Sequence, residues 1–188
     1  RRTFVKKSSI AFSALPLLPA LARAENYTLA LIGCGWWGMN ILREAIAYRN
    51  CKVVGLCDVD QSALSSSETE VKSLCGDRPK KYTDYRELIQ KEKPQIIIVG
   101  TPDHWHALCA IEAIKSGAHV YVEKPIGHTI GEGQAILKAA RNYNRKVQVG
   151  THRRVSPHNI SAMDFLRQGK AGKISQVKAF INYSQASG

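Results

Sequence analysis

Short apolar runs alternate with longer amphipathic stretches over most of the chain. Runs rich in Val, Ile and Leu without polar alternation are typical of parallel strands covered on both faces. We predict five of them: Thr28–Ile32, Val53–Cys57, Ile96–Val99, His119–Val122 and Val147–Val149. The amphipathic stretches predict helices over Met39–Tyr48, Gln61–Leu74, Asp84–Lys91, His106–Ser116 and Gly131–Asn144. This alternation predicts an α/β fold with a doubly wound parallel sheet over residues 25–150.

The pattern changes near residue 150. Pro157 suits the first turn of a helix, which we expect to end near Gly169. Ile174–Tyr183 alternates apolar and more polar residues, as expected for a strand of a different sheet. We therefore expect residues 151–188 to be the start of a second, α+β domain, which is truncated because the chain is a piece of a longer protein.

The first 24 residues have the pattern of an export signal. A cationic start precedes an apolar stretch from about Ile10 to Leu21 and the small-x-small cleavage site Ala22-Arg23-Ala24. Arg1-Arg2 followed by Thr3-Phe4-Val5-Lys6 resembles the twin-arginine motif, which directs export of folded proteins. A signal for export of unfolded chains is the alternative. The apolar stretch is too short to span a bilayer, so we expect a periplasmic mature chain from Glu25 without a membrane anchor.

The net charge of +12 at pH 7 changes this picture little. Five of the positive charges lie in the export signal, and removing them leaves +7 on the remainder. The remaining cations are spread along the chain without a basic stripe interleaved with aromatic residues. We therefore expect no nucleic-acid partner.

Cysteines and histidines predict neither a disulfide framework nor a metal site. The five cysteines are an odd number without a C-x-x-C pair. Three of them lie in apolar segments, where we expect small buried side chains: Cys34, Cys57 and Cys109. His104 and His106 lie two residues apart, which does not match the i, i+4 spacing of a helical zinc site.

A glycine-rich turn separates the first predicted strand from the next helix. Gly33, Gly35 and Gly38 form a G-x-G-x-x-G pattern. The first glycine permits the tight turn, the second lets backbone approach a diphosphate, and the third lets helix and strand pack closely. Asp58 ends the second strand 20 residues after Gly38, where a carboxylate binds the ribose hydroxyls of NAD and repels the extra phosphate of NADP. The combination predicts an NAD-binding Rossmann domain. Asp60 is the alternative to Asp58 as the carboxylate that binds the ribose.

Trp36 and Trp37 are unusual residues for a turn that receives phosphates. Either could lie along the dinucleotide or close the pocket, and both are candidate cofactor-binding residues. The alternative is that one packs under the helix while the other faces solvent or a further domain. The sequence leaves these alternatives open.

Three further motifs follow the later predicted strands. They are Thr101-Pro102-Asp103-His104-Trp105-His106, then Glu123-Lys124-Pro125, and then Gly150-Thr151-His152-Arg153-Arg154-Val155-Ser156-Pro157. Their order resembles the glucose–fructose oxidoreductase / inositol dehydrogenase family (Gfo/Idh/MocA), in which T-P-x-x-x-H, E-K-P and G-x-x-x-R-x-x-P recur at strand ends. The likeness covers residues 26–183. Ligands of doubly wound sheets bind beyond the carboxyl ends of the strands, where all these motifs lie.

The resemblance implies roles for individual residues. It makes Lys124 the catalytic residue and a substrate contact, because a cation beside the nicotinamide stabilises the alkoxide that develops as hydride leaves. The alternative is an ion pair of Lys124 with Glu123 or a structural turn. Substrate contact is also implied for Arg153, and cofactor contact for Thr101, Pro102, His106, Glu123 and His152.

The resemblance implies a sugar- or polyol-type substrate for an NAD-dependent oxidoreductase. The same family contains NAD-dependent glycosidases, and a non-catalytic dinucleotide-binding protein is the third alternative. The family's acid/base Asp and His belong to a second domain beyond residue 188, through which the resemblance also implies a homo-oligomer. Because the periplasm has no appreciable free NAD, an exported member is expected to retain its cofactor, and this chain alone is expected to be inactive.

Overall fold

A six-stranded, wholly parallel sheet forms the centre of the computed structural model, which describes residues 27–48 and 51–180. In chain order the strands are β1 Tyr27–Ile32, β2 Cys51–Cys57, β3 Lys80–Tyr82, β4 Ile96–Val99, β5 His119–Val122 and β6 Val147–Val149. Their spatial order is β3-β2-β1-β4-β5-β6. The chain crosses over between β3 and β4, so the carboxyl ends of β1 and β4 flank the switch point where a doubly wound sheet opens a crevice.

Residues 27–48 and 51–180 also form six α-helices. They are α1 Trp36–Ala47, α2 Gln61–Cys75, α3 Tyr85–Glu92, α4 Asp103–Lys115, α5 Ile130–Asn142 and α6 Pro157–Arg167. Side chains cap three of them at the N-terminus, because Asp60, Asp84 and Thr129 each accept a hydrogen bond from a first-turn N–H group. Thr129 also forms a reciprocal capping box with Glu132.

Two apolar layers bury the sheet on both faces. In β1, Ala30 and Ile32 pack against α3, α4 and α5, whereas Leu29 and Leu31 pack against α1 and α2. Successive side chains of a strand point to opposite faces, so one uninterrupted apolar run supplies both layers. The doubly wound parallel-sheet fold predicted from the sequence is confirmed.

The predicted elements differ from the observed ones in a few places. All five predicted strands are present, but β3 was missed because it is a three-residue edge strand containing two lysines. Helix α1 begins at Trp36 rather than Met39, directly after the glycine turn. Helix α4 begins at Asp103 rather than His106, because Pro102 occupies the N-cap position.

Beyond β6 the chain forms a short 3-10 helix, His152–Val155, and then α6. The strand predicted over Ile174–Tyr183 is wrong for residues 174–180, which form no strand; the remainder lies outside the described residues. These residues pair with no strand of the sheet described above, and an isolated strand cannot satisfy its backbone hydrogen bonds. The predicted export signal also lies outside the described residues. Within residues 27–48 and 51–180, no helix combines the length and apolar character needed to cross a membrane.

Candidate functional site

The glycine turn after β1 is closed by contacts that only glycine permits. Gly33 has a φ of +94°, in the left-handed region that favours glycine. A Cβ on Gly38 would overlap the carbonyl oxygen of Gly33, whereas a Cβ on Gly35 would meet no atom within 4 Å. Gly33 and Gly38 are therefore required for packing, and Gly35 borders open space on the side where a ligand would approach.

Gly100, at the end of β4, is a third member of this packing that the sequence analysis missed. A Cβ on Gly100 would lie 2.8 Å from Cα of Gly38, and one on Gly33 would lie 2.6 Å from the carbonyl carbon of Gly100. The turn is therefore pressed against the end of the neighbouring strand. The only sequence signal for this role of Gly100 was its position directly after the apolar strand β4.

A matched pair of alanine variants separates these two kinds of glycine. We expect Gly38→Ala to lower the free energy of unfolding by about 1–3 kcal/mol, the usual effect of overpacking against backbone. Gly35→Ala is expected to leave that free energy nearly unchanged and to weaken NAD binding, because its methyl group would enter the open space. Urea unfolding and NAD titration of both variants measure the difference. Equal loss of stability in the two variants would contradict this division.

Asp58 lies at the carboxyl end of β2, beside the turn. Its Oδ2 accepts a hydrogen bond from the N–H of Cys34 at 2.7 Å, and its Oδ1 accepts one from the N–H of Asp60 at 3.0 Å. A carboxylate has about four acceptor positions, so capacity remains for a ligand. Its rival Asp60 instead caps α2 through the N–H groups of Ser62 and Ala63.

The open crevice beside Asp58 has a volume of about 370 Å³. It is lined by four residues that we expected at one site from the sequence: Gly33, Asp58, Thr101 and Pro102. Its other lining residues include Tyr85, Arg86 and Trp105, which the sequence did not single out. Tyr85 and Trp105 meet edge-on with ring centroids 6.4 Å apart, and the Arg86 guanidinium lies 4.4 Å from the centre of the Tyr85 ring.

His106 lies behind this crevice rather than in it. Its side chain is 1% exposed, with Nδ1 2.6 Å from the carbonyl oxygen of Pro125 and Nε2 2.9 Å from that of Thr101. The sequence predicted a cofactor contact for His106, and that contact stays a prediction. The contacts of the ring with Pro125 and Thr101 could not be read from the sequence, because these residues come from the ends of different strands.

The Glu123-Lys124-Pro125 segment leaves β5 at the same edge of the sheet. Glu123 is 4% exposed, and its carboxylate accepts hydrogen bonds from the Tyr121 hydroxyl at 3.2 Å and the Lys124 N–H at 2.9 Å. Burial and the adjacent Glu123 carboxylate raise the pKa of Tyr121 to about 12. A Cβ on Gly150 would overlap the Glu123 carboxylate, so this acid is enclosed by protein groups. Its contact with a cofactor stays a prediction.

The Lys124 side chain, by contrast, is exposed. Within residues 27–48 and 51–180, its ammonium group has no acidic partner within 4.0 Å. The alternative of an ion pair with Glu123 is therefore not observed, because the carboxylate instead accepts the Lys124 backbone N–H. This arrangement leaves the ammonium group available at the edge of the sheet.

The remaining candidates are the two tryptophans at the start of α1 and two residues of the 3-10 helix after β6. Trp36 is 76% exposed, whereas the Trp37 ring lies 5.3 Å from that of His152. Trp37 and His152 border an apolar cavity of about 680 Å³ that is separate from the crevice beside Asp58. Arg153 is exposed in the 3-10 helix. Cofactor contacts of both tryptophans and His152, and substrate contact of Arg153, stay predictions.

Three features test whether these residues fit NAD. Gly35 leaves open space at the turn. Helix α1 has no side-chain cap and no acidic residue in its first turn, so its N-terminal N–H groups and partial positive charge suit phosphates. The Thr101 hydroxyl is buried without a hydrogen-bond partner among the described residues. All three features fit a bound dinucleotide.

Comparison with known proteins agrees with this geometry. Among solved structures, myo-inositol 2-dehydrogenase from Lactobacillus plantarum superposes with a TM-score of 0.69 at 27% identity, covering 79% of this chain and 43% of that one. Scyllo-inositol dehydrogenase from Lactobacillus casei, crystallised with NAD(H) and scyllo-inositol, superposes with a TM-score of 0.70 at 24% identity, covering 80% and 43%. The second likeness shows the fold alone.

A curated relative from Stenotrophomonas maltophilia, a glycosyl hydrolase family 109 protein, is 28% identical over 187 residues. The match covers 95% of this chain but only 41% of the relative. The family model described as "Oxidoreductase family, NAD-binding Rossmann fold" matches residues 27–151, which contain the glycine turn, Asp58 and Lys124. The chain therefore belongs to the Gfo/Idh/MocA family of NAD-binding oxidoreductases.

Proposed function

We propose that this chain is the cofactor-binding part of an enzyme that moves hydride between NAD and a sugar- or polyol-type carbinol. The observation that carries the proposal is the order of groups along one edge of the sheet. Strands β2, β1, β4 and β5 are consecutive neighbours in the sheet. Asp58 follows β2, the glycine turn follows β1, Thr101 follows β4 and Lys124 follows β5. At the usual strand spacing, this row spans about 14 Å, a distance that an extended dinucleotide bridges.

Each member of this row has a distinct task in the proposed enzyme. The Asp58 carboxylate binds the adenosine ribose and disfavours the 2′-phosphate of NADP, and the α1 N-terminus binds the diphosphate. Bound NAD supplies the hydride acceptor. The Lys124 ammonium group donates a hydrogen bond to the substrate hydroxyl oxygen and stabilises the negative charge that develops there. The acid/base residues belong to the part of the enzyme outside this chain.

A second candidate function is a redox-neutral, NAD-dependent glycosidase. Such an enzyme oxidises a sugar hydroxyl, eliminates the group at the glycosidic bond, adds water and then returns the hydride. The name of the Stenotrophomonas maltophilia relative favours this candidate, since it matches nearly the whole chain. The row of cofactor groups serves both reactions equally, so the substrate decides between them. A non-catalytic protein is disfavoured because Gly33, Gly35, Gly38, Asp58 and Lys124 are all present.

We also propose that the enzyme is exported with its cofactor already bound. The support is the Arg1-Arg2 motif of the first 24 residues, since the twin-arginine route carries folded proteins. A retained cofactor cannot be exchanged in a compartment without free NAD. It must therefore be regenerated by a second substrate or by the closed cycle of a glycosidase.

The test uses the protein encoded by the complete reading frame, purified without added cofactor. We expect denaturation to release about one NAD(H) per site. Addition of sugars and polyols is then expected to change nicotinamide absorbance if the enzyme is a dehydrogenase. Release of nitrophenol from nitrophenyl glycosides, with no net change in bound NAD, would identify the glycosidase. A protein that neither retains nor binds NAD would overturn the proposal.

A further inference from the structure

The ring of His106 joins two loops that leave neighbouring strands. One loop follows β4 and contains Thr101, which borders the crevice beside Asp58. The other follows β5 and contains Lys124 and Pro125. Between them, His106 is nearly inaccessible to solvent, and each of its nitrogens lies within hydrogen-bond distance of one loop. The side chain therefore fixes the spacing of two segments that the sheet itself does not hold beyond their strand ends.

The chemistry of these two contacts is unusual for a histidine. Both partners are backbone carbonyl oxygens, which only accept hydrogen bonds. Each contact therefore needs an N–H on the ring, and both bonds exist together only when the ring carries two protons. Of the two contacts, the one from Nδ1 to the Pro125 carbonyl is the shorter, at 2.6 Å against 2.9 Å.

The Asp103 carboxylate, in the first turn of α4, contacts two other histidines. The Asp103 carboxylate lies 3.3 Å from Nδ1 of His128 and 3.7 Å from Nδ1 of His104. The hydrogen bond from His128 is the main cause that lowers the pKa of Asp103. The Lys124 ammonium group forms no ion pair with any of these groups.

We propose that His106 is a positioning residue, whose bond to the Pro125 carbonyl holds Lys124 at its place on the substrate side of the sheet. The bond to Thr101 anchors the ring, and the bond to Pro125 transmits that position to the residue next to Lys124. This inference rests on the proposed function only for its effect on hydride transfer. The positioning itself can be measured without a substrate.

Two conservative variants separate the two bonds. The amide nitrogen of Asn is the same number of bonds from Cα as Nδ1 of His, and that of Gln matches Nε2. His106→Asn can therefore keep the bond to Pro125, whereas His106→Gln can keep only the bond to Thr101. If His106 only stabilises the fold, both variants should have the same backbone mobility at Lys124 and the same hydride-transfer rate. If His106 positions Lys124, the two variants should differ in both properties.

The experiment measures backbone ¹⁵N relaxation of Lys124 and Ile126, together with hydride-transfer rate and NAD affinity in the complete protein. We expect His106→Gln to increase the mobility of both residues and lower the hydride-transfer rate by about 100-fold, the usual cost of a misplaced group. His106→Asn is expected to retain rigid residues and a rate within a few-fold of wild type. NAD affinity is expected to change little in either variant. Equal mobility in the two variants would overturn the proposal.

A ring-nitrogen spectrum provides a second readout that does not depend on activity. We expect ¹⁵N NMR of His106 to show a proton on Nδ1, the nitrogen that faces the Pro125 carbonyl, and His158, on the exposed α6, serves as the comparison ring. A His106 ring without a proton on Nδ1 would overturn the bond to Pro125. If the wild-type enzyme transfers no hydride to or from any substrate, the proposed function fails, but the mobility and NMR results still decide the role of His106.

Discussion

Replacing Lys124 with alanine in the complete enzyme is expected to reduce the hydride-transfer rate by about 100-fold or more, on the scale of a lost charge stabiliser. NAD affinity is expected to change little. The reason is that the Lys124 side chain is exposed, while the glycine turn and Asp58 lie two and three strands away. Stability is also expected to persist, because the Glu123 carboxylate binds the backbone N–H of residue 124 rather than its side chain.

Lys138→Ala is the matched control, because Lys138 is an exposed lysine of α5 outside the proposed site. Single-turnover kinetics with the oxidised and reduced cofactor separate hydride transfer from substrate binding and product release. We expect the loss in Lys124→Ala to lie in the hydride-transfer step, with Lys138→Ala like wild type. An unchanged rate in Lys124→Ala would reduce Lys124 to a structural role and leave the dinucleotide site intact.

Alkaline pH is expected to destabilise the chain strongly. Burial raises the pKa of Cys34, Cys57 and Cys109 from 9.0 to about 12 in each case, with neighbouring charged groups as smaller causes. Above pH 9 the unfolded chain therefore releases thiol protons that the folded chain retains. Stabilisation by these thiols is complete below pH 9 and is lost as pH rises from 9 towards 12. At pH 10 the loss is about 1.4 kcal/mol for each thiol and about 4 kcal/mol for all three.

Urea unfolding between pH 8 and pH 10, with reductant present, measures this loss. We expect the double variant Cys57→Ala, Cys109→Ala to lose about 2.8 kcal/mol less than wild type over the same interval, because two of the three buried thiols are removed. Cys75→Ala is the control, since Cys75 is exposed and its removal leaves the three buried thiols in place. A free energy of unfolding that is independent of pH in this range would contradict the burial of these thiols as the main cause.

The burial of the cysteines was predictable from the local pattern of apolar residues. The apolar surroundings of Cys34, Cys57 and Cys109 predicted burial, and all three are buried and free in the structure. Burial of a small side chain follows from the strand or helix to which it belongs, which the local pattern determines. The same argument predicted β1, β2, β4, β5 and β6 from their apolar runs.

Elements whose stability depends on distant neighbours were less predictable. Strand β3 is held as an edge strand by β2, and its own residues are mostly polar. Residues 174–180 have the alternation of a strand, but alternation alone does not provide the neighbouring strand that must accept its hydrogen bonds. In both cases pairing partners, rather than the local sequence, decided the outcome.

The glycine turn, the acid at the end of β2 and the order of motifs along the carboxyl edge of the sheet could all be read from the chain alone. They follow from short-range rules, because glycine conformation, strand burial and the spacing from Gly38 to Asp58 are encoded within one βαβ unit. Three contacts emerged only from the folded structure: Gly100 closes the turn, Tyr85 and Trp105 line the crevice, and the His106 ring lies between the Thr101 and Pro125 carbonyls. Those contacts join residues from different strands, which meet only when the sheet has assembled.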